Sequence, residues 1–325
     1  MPQVAFIIIN WNGGEFLRRC IESIAKFPPS IPCSVVVVDN ASTDDSLTWL
    51  SSPGPRELLG RIKLELIANS ENVGFGRANN QAFKHTEAPL LFLLNADAEL
   101  TAGACDKLIE TLNGDQRIGA CGPRLLNPDG SLQVSVWRNP PAAWATLLSG
   151  SRLALLLPRR ARGELLLAEF WDHDRRRDVP MLGGAAILIR RSVIDKVGGF
   201  NERFHMYLED NDWCWRIKRA GWRLVFDPAA VVVHQGAHSA RQRWTEMEQL
   251  RLKTEGYLMF LSGALPRQRM IANLLVSTSL LALQIAWRKM CGRSAEDVRL
   301  VLRLHVRGLK DALTNKTSFS EATNI

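Results

Sequence analysis

A chain of 325 residues, 46% hydrophobic and 23% charged, can bury a sizeable core as one large domain or as a domain with an appendage, and it carries no low-complexity tract or internal repeat. Its six cysteines sit apart in apolar surroundings with no C-x-x-C pair, which argues against a zinc site or a disulfide framework and for reduced thiols in a cytoplasmic protein. Residues 241–310 hold 13 Lys/Arg against 5 Asp/Glu, so they carry the whole net charge of +8 and the preceding part is close to neutral.

The opening MPQVAFIIINWN has no basic leader and is expected to belong to the fold, with a buried strand over 4–10. The helix EFLRRCIESIAKF follows, then a second strand over 34–40. ASTDDSLTWL is expected to open a helix capped by Ser42 or Thr43. RIKLELI (61–67) is a third strand, the loop ENVGFGRANNQAF (71–83) leads into a helix through Gln81 and Phe83, and PLLFLLNADAEL (89–100) is a fourth strand running into an acidic turn. Such alternation predicts a parallel α/β sheet. Asn10, Asp39, Asn40, Asn95 and Asp97 all fall at carboxyl ends of these strands, the rim where open α/β sheets bind ligands.

Residues 140–180 mix apolar pieces with basic clusters and are expected to form an insertion over the active face. Strand and helix patterns resume over 181–200 and 207–234. In the tail, 271–287 is uncharged for 17 residues, slightly short for a comfortable membrane span. Arg299, Arg303 and Arg307 share one face of a following helix otherwise rich in leucine and valine, a pattern suited to lying in an anionic membrane surface. The tail lacks the aromatic or motif context of a nucleic-acid binder.

Gly74 and Gly76 are spaced like a dinucleotide fingerprint, but Asn79 stands at the next position of the motif. The context also fails: such a loop should follow the first strand, with its acidic strand end some 20 residues later. Here the first turn is NWNGGEF, and Asp39 precedes the glycines.

Six pieces in order, IIINWNGGEFLRRCIESI, VVVVDNASTDDS, NVGFGRANN, LLFLLNADAEL, GGAAILIRRSVIDKVGGFNERFHMYLEDNDWCWRIKRAG and VVVHQGAHS, together resemble glycosyltransferase family 2, in wording nearest to bacterial rhamnosyltransferases. The resemblance covers residues 4–239 and reaches the tail only loosely. It implies an α/β GT-A nucleotide-diphospho-sugar transferase fold, a Rossmann-like, mostly parallel central sheet flanked by helices with a helical C-terminal tail. The expected division is a transferase domain over 1–240, nucleotide-sugar-binding to 125 and acceptor-binding and catalytic from 126, then the tail over 241–325.

The same resemblance implies the site. Asp39 would contact base and ribose, with Asn10, Asn12, Asn40 and Asp44 nearby. Asn72 and Asn79 would hydrogen-bond the nucleotide, while Gly74 and Gly76 let the backbone approach it. In NADAE, Asp97 matches the metal-binding aspartate of a D-x-D motif and Asn95 replaces its first acid, which removes a charge. His234 would be a further ligand of a divalent cation, Mg2+ or Mn2+, that stabilises the departing diphosphate. Asp210 would be the base that deprotonates the acceptor hydroxyl, with Glu209 orienting it or contacting the acceptor. Gly184, in GGAAI, would line the sugar pocket. RQRW (241–244) resembles the Q-x-x-R-W motif of processive synthases except that Ala240 replaces the glutamine, a departure that argues against a polymerising enzyme.

The expected activity is therefore inverting transfer of a sugar, first L-rhamnose from dTDP-L-rhamnose and otherwise from a UDP- or GDP-sugar, to a lipid-linked or cell-surface saccharide at the inner face of a bacterial membrane. Two other classes make distinct demands. A nucleotidyltransferase needs a glycine- and lysine-rich loop after the first strand, where NWNGGEF has no base. A non-catalytic sugar-nucleotide-binding protein would lose acids such as Asp39, Asp97 and Asp210, all retained here.

Overall fold

The computed structural model of the chain describes residues 1–151, 153–204, 206–236 and 242–314. Ala240 and Arg241, singled out by the sequence, lie outside the described residues. In chain order, the first half runs β1 (Val4–Asn10), α1 (Gly14–Lys26), β2 (Cys33–Asp39), α2 (Ser46–Ser51), α3 (Gly54–Leu59), β3 (Lys63–Ala68), α4 (Phe75–Lys84), β4 (Leu90–Leu94), β5 (Ala98–Leu100), α5 (Ala104–Gly114) and β6 (Ile118–Leu126). The second half adds β7 (Leu132–Gln133), α6 (Ala143–Gly150), α7 (Arg159–Leu166), β8 (Arg177–Asp178), β9 (Ala186–Arg190), α8 (Arg191–Val197), α9 (Glu209–Arg219) and β10 (Arg223–His234). Three helices close the chain: α10 (Glu246–Ala264), α11 (Arg267–Met290) and α12 (Glu296–Thr314).

One sheet, in the order β3-β2-β1-β4-β9-β6-β10-β5, organises the molecule. Its first four strands are parallel, β9 runs antiparallel between β4 and β6, and β10 returns parallel to β6. The central strands are buried on both faces, which is why they read as unbroken Val, Ile and Leu runs. One face packs on α1 and α5 through Leu17, Ile21, Leu108 and Leu112. The other packs on α4 and α9 through Ala78, Phe83, Trp213 and Ile217. Burial of such side chains contributes roughly 1.5–3 kcal/mol each.

The expected fourth strand is two strands. The chain turns at Asn95–Asp97, and β5 crosses to the far edge, where it pairs antiparallel with β10 and sets His234 opposite Ala98. The second helix starts later than its sequence implied. It begins at Ser46, and neither Ser42 nor Thr43 caps it; Ser42 Oγ instead donates to Asp39 and accepts the Asn12 N–H.

The tail is not a separate appendage. α10 opens with a Thr245/Glu248 capping box, and Leu258, Phe260 and Leu261 share a small core with Phe204, Met270 and Leu274. α10 comes so close to the turn before α9 that a Cβ at Gly256 would lie 3.1 Å from the Tyr207 carbonyl oxygen. On α12, Val298, His305 and Ala312 are buried, while Arg299, Arg303 and Arg307 point outward. Part of the apolar side of this helix packs against α10 and α11, while Val306 and Leu313 are exposed. Among the described residues α11 is the one helix long and apolar enough to cross a membrane, at 24 residues, and its Met270, Asn273, Leu274 and Ser277 pack inward. The 140–180 segment docks on this tail, with α6 lying against α11.

Candidate active site

The carboxyl ends of β1 and β4 and the glycines before β9 open into a cavity of about 310 Å³. Asn95, Asp97 and His234 line it, together with Gly184, Glu209 and Asp210. A smaller cavity of about 80 Å³, walled by Trp11, Asn40, Asn72 and Gly74, adjoins it through Ile9, Phe75 and Met206.

The acid pair stands at the first turn of α9. Tyr207 and Leu208 enter it with φ of 67° and 70°, a left-handed pair of non-glycine residues that costs on the order of 1–3 kcal/mol each. Asp210 accepts hydrogen bonds from the backbone N–H of Gly184 at 3.0 Å and of Asn211 at 2.8 Å. A side chain at Gly184 would crowd that carboxylate, since its Cβ would lie 3.4 Å from Asp210 Oδ2. Glu209 is buried with Oε2 unpartnered. Burial, then the charge of Asp210, pushes its carboxyl up to about 8; burial likewise raises Asp210, against the pull of its backbone donors. The pair shares protons as a unit, and Asp210 is the member equipped to carry the charge. Asp212, in the same turn, instead pairs with Arg216 at 2.8 Å and is structural.

In the same cavity, His234 Nε2 lies 3.1 Å from Asp97 Oδ1 and 3.2 Å from Asn95 Nδ2. His234 Nδ1 is 2.6 Å from Gln133 Oε1, whose own amide nitrogen donates to Asn127 and to the His234 carbonyl. That network fixes Gln133 as acceptor, puts the histidine proton on Nδ1 and turns the Nε2 lone pair toward Asp97. An imidazole nitrogen and a carboxylate oxygen 3.1 Å apart are donors a divalent cation takes, and Asp97 and His234 are the residues that would hold one. Among the described residues no cluster of three or more His, Cys, Asp or Glu accompanies them, so most of the shell of such a cation would have to come from diphosphate and water oxygens.

The nucleotide-side residues divide. Asn40 and Asn72 line the smaller cavity and bond each other at 2.9 Å, and Asn72 also accepts the Gly74 N–H. Gly74, at φ 86°, makes the turn into α4 that no side chain favours. Asp39 lies one layer behind: its fully buried carboxylate accepts from Asn10 Nδ2, Ser42 Oγ and Ser42 N. Asn10 is buried beside it, Asn12 ties the first loop to Thr43 and Asp44, and the exposed Asp44 accepts from Ser46 N at the start of α2. None of these four lines either cavity.

Two expectations from the glycine loop are corrected. Asn79 is buried and donates to the Phe75 carbonyl within its own helix, so no nucleotide reaches it. Gly76 is small for Phe200, whose Cβ would meet a Gly76 Cβ at 3.2 Å. Both sit on the core face of α4.

Sequence reasoning did not single out Gln133, Trp137 and Tyr207 of the main cavity or Trp11 of the smaller one. Trp11 stacks under the Arg243 guanidinium, which also covers Trp244 at 4.8 Å. The R-W pair noticed in the sequence therefore closes the smaller cavity, although it opens the tail.

A family model described as glycosyl transferase family 2 matches residues 5–198. The N-acetylglucosaminyl-diphospho-decaprenol L-rhamnosyltransferase of Mycobacterium tuberculosis is 30% identical over 253 residues, 74% of this chain and 77% of that protein. Two solved structures share the GT-A architecture: a mannosyltransferase from Pyrobaculum calidifontis in complex with GDP-Man and Mn2+ (TM-score 0.57, 16% identity, 98% and 88% coverage), and S. aureus TarS 1-349 in complex with UDP-GlcNAc (TM-score 0.51, 14% identity, 98% and 93% coverage). With its matched model, its relative and its α/β sheet, the chain belongs to glycosyltransferase family 2 and transfers a sugar from a nucleotide-sugar donor.

Proposed function

We propose that the chain is an inverting, divalent-cation-assisted rhamnosyltransferase, using dTDP-L-rhamnose and a lipid-linked saccharide acceptor at the inner face of a bacterial membrane. The observation that carries this reading is that the Glu209–Asp210 pair and the Asp97–His234 pair line one cavity. Asp210 takes the proton of the acceptor hydroxyl as that oxygen bonds to the anomeric carbon. The bond from this carbon to the diphosphate breaks, and its electron pair leaves on the diphosphate oxygen, toward Asn95, Asp97 and His234. Attack and departure on opposite faces invert the anomeric centre. Glu209, neutral near pH 7 because of its raised pKa, leaves Asp210 as the ionised member. A cation held by Asp97 and His234 would neutralise the charge that develops on the diphosphate.

The choice of rhamnose and of a lipid-linked acceptor draws support from the mycobacterial relative's name. Peripheral membrane contact draws support from exposed apolar residues next to exposed cations: Leu155 and Leu156 before Arg159 and Arg160, and Trp287 and Met290 around Lys289. The test is thermal stabilisation of the purified protein by dTDP, UDP and GDP, each with and without Mn2+. Preference for dTDP, enhanced by Mn2+, supports both donor and cation. Preference for UDP or GDP replaces the donor, and a response blind to Mn2+ removes the cation role.

A further inference from the structure

Three cavities lie next to one another beside the acid pair, each sharing lining residues with the next. The active-site cavity shares Trp137 with a second cavity of about 310 Å³, which passes Leu208 and Asn211 on either side of Glu209 and Asp210. The second shares Thr146, Ser149 and Tyr257 with a third, of about 840 Å³, a wide-mouthed groove lined by α6, α10, α11 and α12. Leu280, Leu281, Val301, Leu283 and Trp287 give the third its apolar lining, and the last two are 68% and 47% exposed where it reaches the surface.

Two cations stand along this track. Arg138 lines the second cavity, with its guanidinium 4.9 Å over the Trp144 ring and its Nε donating to the Leu165 carbonyl. Lys253 lines the third, with its ammonium 4.8 Å over the Tyr207 ring that borders the active site. Neither is ion-paired with a carboxylate among the described residues. The order of chemistry is an acidic pocket, a passage lined by both Arg138 and Glu169, and an apolar groove bordered by Lys253.

We infer that the groove between α6 and the three C-terminal helices holds the hydrocarbon chain of a phosphate-linked acceptor, whose anionic linker passes Arg138 and Lys253. The inference rests on the lipid-linked-acceptor reading above and gives it a place in the molecule. Surface adsorption to a membrane needs no groove. A groove of this volume is in the size range of pockets that hold a drug-sized ligand. Three of its four walls, α10, α11 and α12, come from the tail beyond residue 240.

The probes are inorganic diphosphate, geranyl diphosphate and farnesyl diphosphate, titrated calorimetrically into the full chain below their aggregation concentrations. Each buried methylene adds about fourfold in affinity, so farnesyl should bind at least about tenfold more tightly than geranyl diphosphate. Ser149→Trp puts an indole at the junction of the second and third cavities, and it should flatten this dependence while leaving stabilisation by nucleotide and Mn2+ intact. Arg138→Gln should weaken all three diphosphates alike and preserve the farnesyl-to-geranyl ratio. Affinity independent of chain length in the wild type overturns the inference. So does a steep dependence that survives both Ser149→Trp and a second filling variant, Val301→Phe. The nucleotide response separates the two readings: its absence from a wild type with steep chain-length dependence would leave a lipid site and sink the transferase, whereas its presence with flat dependence removes the lipid groove alone.

Discussion

The two sides of the site are built in different ways. On the nucleotide side Asp39, Asn40 and Asn12 each bond two or more neighbours, and the loops after β1, β2 and β3 are laced together by those bonds. On the acceptor side a buried carboxyl oxygen of Glu209 has no partner, two successive residues are left-handed, and burial holds two adjacent acids above their ordinary range. The first side is a cradle whose polar groups mostly bond one another, with Asn10 Oδ1 left unpartnered and Asn12 and Ala41 left-handed. The second carries strain and desolvation that local packing does not relieve, the pattern expected where a group must be tuned for chemistry. α10 supplies the backing through the close approach of Gly256 and the Lys253 and Gln249 contacts to Tyr207.

The difference can be broken most sharply at Asp210. Asp210→Asn keeps the shape and accepts no proton, so transfer should fall by about 10²–10⁴-fold while nucleotide binding stays near wild type. Rapid turnover by this variant would assign the base elsewhere. In the same cavity, Asp97→Ala should abolish the Mn2+ enhancement of nucleotide binding. Gln133→Ala, which only frees the histidine ring, should weaken the metal response by about 10–100-fold. An unchanged metal titration in Gln133→Ala would show that the ring needs no such anchor.

Glu209 sharpens the contrast through stability. Its carboxyl titrates near 8 in the folded chain against an ordinary 4.5, so the folded state holds its proton more tightly. The resulting stabilisation is complete below about pH 4.5 and is lost as pH rises through about 8. Glu209→Gln removes that titration, and its melting temperature should exceed that of wild type by more at pH 9 than at pH 5. Equal pH slopes would mean that the acid is not held neutral. In activity, wild-type rates should climb with pH through an apparent pKa above the usual carboxylate range, because the base must be ionised.

Much of this was readable from the residues, for physical reasons. β1, β2 and β4 are buried on both faces, so their apolar runs mark both ends of the first two and the start of the third to within a residue. Asp97, His234, Glu209 and Asp210 were singled out by the resemblance to the family's motifs, and all four line one cavity. The break at Asn95–Asp97 was hidden because the chain stays apolar on both sides of a short turn, and β5 has only three residues. Gln133 and Trp137 come from an irregular segment, and what they do depends on His234 and on cavities assembled from distant parts of the chain. No local pattern encodes such meetings.

Asn79 shows where a motif misleads and gives the smallest test. Residues 76, 79 and 83 follow helical spacing, and all three are buried, so periodicity placed them on the core face while the glycine loop drew attention to a nucleotide. The Asn79 amide donates at 2.9 Å to a carbonyl one turn back. Removing one such bond costs about 1 kcal/mol. Asn79→Ala should therefore lower the melting temperature by a few degrees and leave nucleotide affinity unchanged. Asn72→Ala, on the cavity wall, should weaken nucleotide binding. Were the two variants to weaken binding equally, α4 would have to turn its buried face toward the ligand, and the division between the cradle and its core would fail at that helix.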